Sequence, residues 1–178
     1  MHKNKEYWSN EGSLKKFTHS INIDWLKELP NINNVLDFGC GYGRLTPELL
    51  DLEGISLSGY DFSAPVIERA KAENPGAFYS SSLKHFESKT FDLITCFAVF
   101  TCCPEDEQQH EIISWLNSVT KKGSHIYISD YIVDENPHYQ PRYNERELGV
   151  YGCFKSGIAT FRHHQSGHFE RIFGGWKK

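Results

Sequence analysis

Asp37 lies near the end of a short apolar run, Val35-Leu36-Asp37-Phe38, and three glycines follow it at single-residue spacing: Gly39, Gly41 and Gly43. Asp61 stands eighteen positions after the last of them. Residue types at these intervals can hold a nucleotide-like ligand. Glycine takes up the positive φ that a sharp turn after a strand needs, and a bare middle position lets a ligand reach main-chain N–H groups. A carboxylate roughly 20 residues further on accepts two hydroxyl hydrogen bonds at once, which suits a ribose diol. The dinucleotide fingerprint is Gly-x-Gly-x-x-Gly, whereas the third glycine here comes one place early. That spacing suits a ligand with no pyrophosphate to seat.

These groups need strands and helices that bring them together. Asn34 to Phe38 reads as a buried strand, and Leu45, Leu49, Leu50 and Leu52 after the glycines mark a helix from about Arg44 to Leu52, stopped by Gly54. Ile55 to Tyr60 is a second strand ending at Asp61. A helix from Ser63 to about Glu73 follows, and Asn74-Pro75-Gly76 ends it. Ala77 to Ser80 is a third strand. Phe91 to Phe97 is almost continuously apolar, as a central parallel strand should be. A helix from Pro104 to about Thr120 and a fifth strand from Ser124 to Tyr131 complete the alternation. Ligands of such open sheets bind outside the carboxyl ends of the strands, where the strand order reverses. Asp37, Gly39, Asp61 and Phe97 converge there.

The stretch Leu-Asp-Phe-Gly-Cys-Gly-Tyr-Gly-Arg, Leu36 to Arg44, resembles motif I of the class I S-adenosylmethionine (SAM)-dependent methyltransferases, in the form seen in small-molecule enzymes. Gly-Tyr-Asp-Phe-Ser, Gly59 to Ser63, resembles the second motif, and Phe91 to Phe97 the fourth. The resemblance implies a doubly wound, Rossmann-like, mostly parallel α/β sheet of order 3-2-1-4-5 with SAM as cofactor and S-adenosylhomocysteine as product. It implies cofactor contacts from Asp37, Gly39, Cys40, Gly41 and Gly43, from Asp61 at the ribose, and from Phe62 against the adenine. It also places the backbone at Phe97 and Ala98 beside the methionine part. The acidic residue that often follows the third strand is replaced by Ser80-Ser81-Ser82, so Ser81 is left to meet the adenine edge. The Asn-Pro-Pro-Tyr type of signature found in nucleic-acid aminomethyltransferases is absent, which favours a small-molecule acceptor.

Composition agrees with a single domain, 1–178, of 178 residues. The formal charge of −4 has both signs interspersed and no basic block, so no broad nucleic-acid footprint is expected. No apolar run reaches the roughly 18 residues of a membrane span, and the first residues lack a signal-peptide core. The five cysteines fit neither a disulfide framework nor a zinc signature, as expected of free thiols in the cytoplasm. His164 and His168 at i, i+4 lack a third ligand, so no metal site is expected.

The two ends of the chain supply the acceptor side. Residues 1–30 read as a helical cap, with Tyr7 and Trp8 as candidate acceptor contacts. Residues 132–165 read as an excursion over the site, containing a hairpin from Tyr151 to Phe161 that turns near Ser156-Gly157. Tyr131 and Arg162 are further acceptor candidates. His163 and His164 are candidates for a general base or for binding an anionic acceptor, as a His-His run in similar enzymes implies. A last helix is expected from about Gly167 to Phe173. The closing antiparallel hairpin of the resembled fold is expected to be lacking, which would leave the fifth strand to be covered by the excursion or by a second subunit in a homodimer. Two other readings remain open: a non-catalytic SAM-binding protein, and an NAD(P)-dependent oxidoreductase.

Overall fold

A computed structural model of the chain describes residues 9–10, 20–103, 106–129, 152–155 and 158–165. The elements in order are α1 (Ile23–Lys27), β1 (Asn34–Phe38), α2 (Thr46–Leu49), β2 (Ser56–Tyr60), α3 (Ala64–Glu73), β3 (Phe78–Ser80), β4 (Phe91–Phe97), α4 (Asp106–Ser118), β5 (Thr120–Ser129), β6 (Gly152–Lys155) and β7 (Ile158–Gln165). The strands form one sheet of order β3-β2-β1-β4-β5-β7-β6. The first five run parallel, β7 runs antiparallel to β5, and β6 antiparallel to β7.

Both faces of the sheet are covered, and alternation along each strand assigns residues to one face or the other. Leu36, Phe38, Ile94, Cys96, Ile126 and Ile128 join Phe86, Ile113 and Leu116 in one core cluster. Val35, Leu93, Phe97 and Tyr127 join Ile21, Leu26, Leu45 and Leu49 in the other. All seven residues of β4 are buried, because it sits in the middle of the sheet with cores on both sides. The second helix is shorter than its leucine spacing predicts. Turn bonds from Gly43 N–H to the Cys40 carbonyl and from Thr46 N–H to the Gly43 carbonyl use up the residues ahead of it.

The parallel order β3-β2-β1-β4-β5 is as the sequence implied, but the expectation that the closing hairpin is lacking is overturned. Residues 152–165 of the expected excursion form that hairpin. β7 lies along β5 from Ile128↔Arg162 to His125↔Gln165, and β6 pairs with Ile158–Phe161 only. Arg162 to Gln165 therefore has β5 on one side and no strand on the other among the described residues. An edge segment tolerates polar residues, which is why Arg162-His163-His164-Gln165 did not read as a strand. The open flank of β5 is covered by the chain's own β7. The expected helix from Gly167 to Phe173 lies outside the described residues.

Candidate functional site

The turn after β1 is built from three positive-φ glycines with distinct surroundings: Gly39 at φ +78°, Gly41 at +56° and Gly43 at +79°. A Cβ on Gly39 would come within 2.6 Å of Val99 Cγ2, so this glycine admits the segment after β4. A Cβ on Gly43 would meet the Tyr79 hydroxyl at 2.9 Å, Asn74 Nδ2 at 3.0 Å and Thr46 Oγ1 at 3.2 Å. Gly41 alone of the three has open space where its side chain would be. Two glycines let the protein pack against itself, and the middle one leaves main chain open to a ligand.

Hydrogen bonds lock the turn to the neighbouring strand. The N–H groups of Gly39 and Cys40 both donate to the Tyr60 carbonyl, at 2.7 and 2.9 Å. Cys40 is buried, in a small cluster with Ile67, Ala70 and Tyr79. Its side chain belongs to the core beneath the turn, and burial pushes its thiol well up, helped by Asp37 and Asp61. The Tyr79 hydroxyl reaches Thr46 Oγ1 at 2.7 Å, bracing the start of α2 from β3.

Asp61 follows β2 and sits against the turn. One of its oxygens accepts the Gly41 N–H at 3.1 Å and the other the Ser63 N–H at 2.9 Å. Burial raises its pKa against the pull of these two N–H groups. Each oxygen keeps a further acceptor direction, so the carboxylate ties the turn and still has capacity for a ligand. Ser63 is the N-cap of α3 but makes no side-chain capping bond; Asp61 bonds the Ser63 N–H from two residues upstream. Phe62 is 38% exposed beside it. β3 ends level with β2, Ser80 opposite Tyr60, so the exposed Ser81 lies next to Asp61 across the sheet.

Asp37 is different. It is 2% exposed, and its Oδ1 accepts the Thr95 hydroxyl at 2.7 Å. Its Oδ2 is buried with no partner. Burial pushes its pKa up to about 6, against the Thr95 hydrogen bond and the Arg44 guanidinium. Arg44 lies 4.6 Å over the ring of Phe97. Directly after Phe97, Ala98 adopts φ +56° and donates its N–H to the Ser129 carbonyl at 2.7 Å. A non-glycine residue in that conformation carries strain, and such strain clusters where a ligand is bound.

Asp37, Gly39, Gly41, Gly43, Asp61, Phe62, Ser81, Phe97 and Ala98 thus all lie along the carboxyl ends of β1–β4. Arg162, His163 and His164 do not sit in a loop beyond the strands. They pair with Ile128, Tyr127 and Ile126 inside the β5–β7 ladder. His163 and His164 are consecutive strand positions and belong to opposite faces. Tyr7, Trp8 and Tyr131 lie outside the described residues. Thr95 and Arg44 were not singled out from sequence as members of the site. The sequence signal for Thr95 is a hydroxyl inside an apolar strand; the β1–β4 register that sets it opposite Asp37 comes from the structure. Among the described residues, no cluster of His, Cys, Asp and Glu could hold a metal ion, and no helix is long and apolar enough to cross a membrane.

Comparison with known proteins agrees with this geometry. A SAM-dependent methyltransferase from Methanosarcina mazei is 27% identical, with a TM-score of 0.53 over 61% of this chain and 57% of that one. The plantazolicin methyltransferase BamL, solved with a triazolic desmethylPZN analog and SAH, is 26% identical, with a TM-score of 0.50 over 61% of this chain and 44% of that one. A TehB-like SAM-dependent methyltransferase from Corynebacterium glutamicum, 21% identical with a TM-score of 0.52 over 69% of this chain and 68% of that one, shares the fold. The chain spans about half the length of the first two. No curated protein matches it. Residues 13–171 match the family model described as a methyltransferase domain, and the chain belongs to that family.

Proposed function

We propose that this chain transfers a methyl group from S-adenosylmethionine to a nucleophilic oxygen, nitrogen or sulfur of a small molecule. The observation that carries the reading is the open space at Gly41, whose N–H the Asp61 carboxylate accepts, together with the partnerless Oδ2 of Asp37 near the end of the preceding strand. The residues fit the cofactor's chemistry. The bare main chain at Gly41 admits a flat nucleoside, and the free acceptor directions of Asp61 suit its ribose diol. Phe62 offers an exposed ring for the adenine, with the Ser81 hydroxyl at its edge. The partnerless Oδ2 of Asp37 suits the ammonium of the methionine part, which would also draw the carboxyl toward its charged form. The Phe97–Ala98 main chain would border the same end.

When bound, the cofactor supplies an electrophilic methyl carbon on a sulfonium, so the protein's own task is to bind, orient and exclude water. Ala98 and Arg44 shape the floor beside Phe97. Residues after β5 and the N-terminal segment, Tyr7, Trp8 and Tyr131 included, would select the acceptor, as loops at this end of an α/β sheet do. His163 and His164 are retained as candidates for a general base or for binding an anionic acceptor. That the similar plantazolicin methyltransferase BamL was solved with a triazolic desmethylPZN analog supports a small-molecule acceptor.

Calorimetric titration with S-adenosylhomocysteine tests the reading. Binding is expected, with no stabilisation by NAD. Absence of heat with both the methyl donor and its demethylated product would reject it. Binding without turnover on any acceptor would favour a non-catalytic SAM-binding protein.

A further inference from the structure

The residue between the second and third glycines is held from outside the crevice. Tyr42 is half-buried, and its ring carries the Arg69 guanidinium at 4.1 Å. Its carbonyl accepts a hydrogen bond from Asn74 Nδ2 at 3.1 Å. Arg69 is oriented in turn by Glu73, one helical turn on, through a 2.6 Å contact from Nε to Oε1. All three holding residues belong to the last turns of α3 or its C-cap. The other end of α3 is fixed too: Asp61 bonds the Ser63 N–H at its start with one oxygen and the Gly41 N–H with the other. A helix of this length spans about 15 Å. It therefore touches the turn twice, at Gly41 through Asp61 and at Tyr42 through Arg69 and Asn74.

We infer that Arg69 and Asn74 are positioning residues, which fix the Gly41–Tyr42–Gly43 segment in its ligand-ready shape without touching the ligand. The physical need is specific. Gly41 and Gly43 flank Tyr42 at positive φ, and glycine has more backbone freedom to lose than any other residue. With no restraint, that freedom would be lost when the ligand binds and affinity would fall. Gripping the Tyr42 ring and carbonyl removes it beforehand. The Gly43 surroundings serve the same end, since Asn74 Nδ2 and the Tyr79 hydroxyl occupy the space behind it.

The inference rests on the proposed SAM site only for the identity of the ligand. The grip itself belongs to the unliganded chain, so two measurements separate the claims. Amide hydrogen exchange at Gly41 and Gly43, without ligand, reads the grip. Titration with S-adenosylhomocysteine reads its effect on binding. Arg69 is partly exposed, so Arg69→Ala should fold. It is expected to speed exchange at both glycines and to weaken S-adenosylhomocysteine about three- to fivefold, as loss of one exposed cation–π contact would. Adding Asn74→Ala should bring the loss to about tenfold or more. Tyr42→Phe keeps the ring and the carbonyl and should restore both readouts where Tyr42→Ala does not. Lys71→Ala breaks the exposed Lys71–Glu68 pair on the same helix and should change neither. Unchanged exchange in Arg69→Ala overturns the inference, and so does faster exchange with undiminished affinity. Faster exchange in a protein that never bound S-adenosylhomocysteine would uphold the grip and reject the cofactor reading.

Discussion

The two ends of the sheet treat a buried carboxylate in opposite ways. At the amino end, Asp92 of β4 is fully employed. Its Oδ2 accepts the N–H groups of Asn33 and Asn34 at 3.1 and 2.9 Å, and its Oδ1 meets Lys121 Nζ at 2.6 Å. Burial alone would raise its pKa, but the Lys121 contact and the two N–H bonds hold it below the ordinary value. At the carboxyl end, Asp37 of β1 has one hydroxyl partner and one oxygen with none, and its pKa is pushed up to about 6. The same end carries the positive-φ residues Gly39, Gly41, Gly43 and Ala98. Positive φ also occurs at the amino end, at Asn31, Gly54 and Gly123, so what sets the carboxyl end apart is its spare bonding capacity, held in reserve for a ligand.

The largest expected effect comes from breaking the contrast at Asp37. Its folded pKa of about 6 lies above the unfolded value of 3.8, so the folded state holds its proton longer. The Asp37 contribution to stability is therefore greatest below about pH 4, declines as pH rises through about 6, and is flat above. Asp37→Asn should raise stability at pH 7 by up to about 3 kcal/mol, flatten that slope, and abolish S-adenosylhomocysteine binding. Urea denaturation from pH 4 to 8 with parallel titration calorimetry would read all three. A loss of stability at pH 7 would mean that Asp37 is a structural anchor like Asp92.

Asp92→Ala should do the reverse. It removes the acceptor for two main-chain N–H groups and should cost about 1–3 kcal/mol in the same denaturation experiment. Cofactor affinity should stay as in the parent. The Asp92 contribution is lost as pH falls through its depressed pKa, opposite in sign to that of Asp37.

The glycines sharpen the comparison within the carboxyl end. Gly43→Ala forces a methyl against Tyr79, Asn74 and Thr46 at positive φ and should lower stability by about 2 kcal/mol or more. Gly41→Ala meets only open space and should cost about 1 kcal/mol of conformational strain. Its larger effect should be on S-adenosylhomocysteine, weakened about tenfold or more by the methyl group in the ligand's path. Thermal melts paired with titrations would separate the two variants. Equal affinity losses at equal stability would deny that the glycines divide their roles.

Much of this arrangement was legible in the residues. The five parallel strands announced themselves as apolar runs, divided by Gly54 and by Asn74-Pro75-Gly76. Motif spacing located the turn and Asp61. Pairings between distant segments were not legible. The Asp37–Thr95 bond needs the β1–β4 register, which no local pattern encodes. The fifth strand was expected only from Ser124, after a helix to about Thr120, yet Lys121-Lys122-Gly123 belongs to an irregular start of β5, where the Ser124 hydroxyl donates to the Phe91 carbonyl at 2.7 Å. The β6–β7 hairpin was legible from Tyr151 to Phe161, but its extension through Arg162–Gln165 along β5 was not, because an edge segment needs no apolar alternation and the histidines drew a chemical reading instead.

That last strand has a consequence for how the protein is made. During synthesis the five parallel strands are complete once Ser129 has emerged, while the segment that seals the flank of β5 follows some thirty residues later. Until then an apolar strand with unpaired peptide groups is presented to neighbouring nascent chains. A chain cut short before Ile158 should keep its nucleoside crevice yet clump on the ribosome or in the test tube.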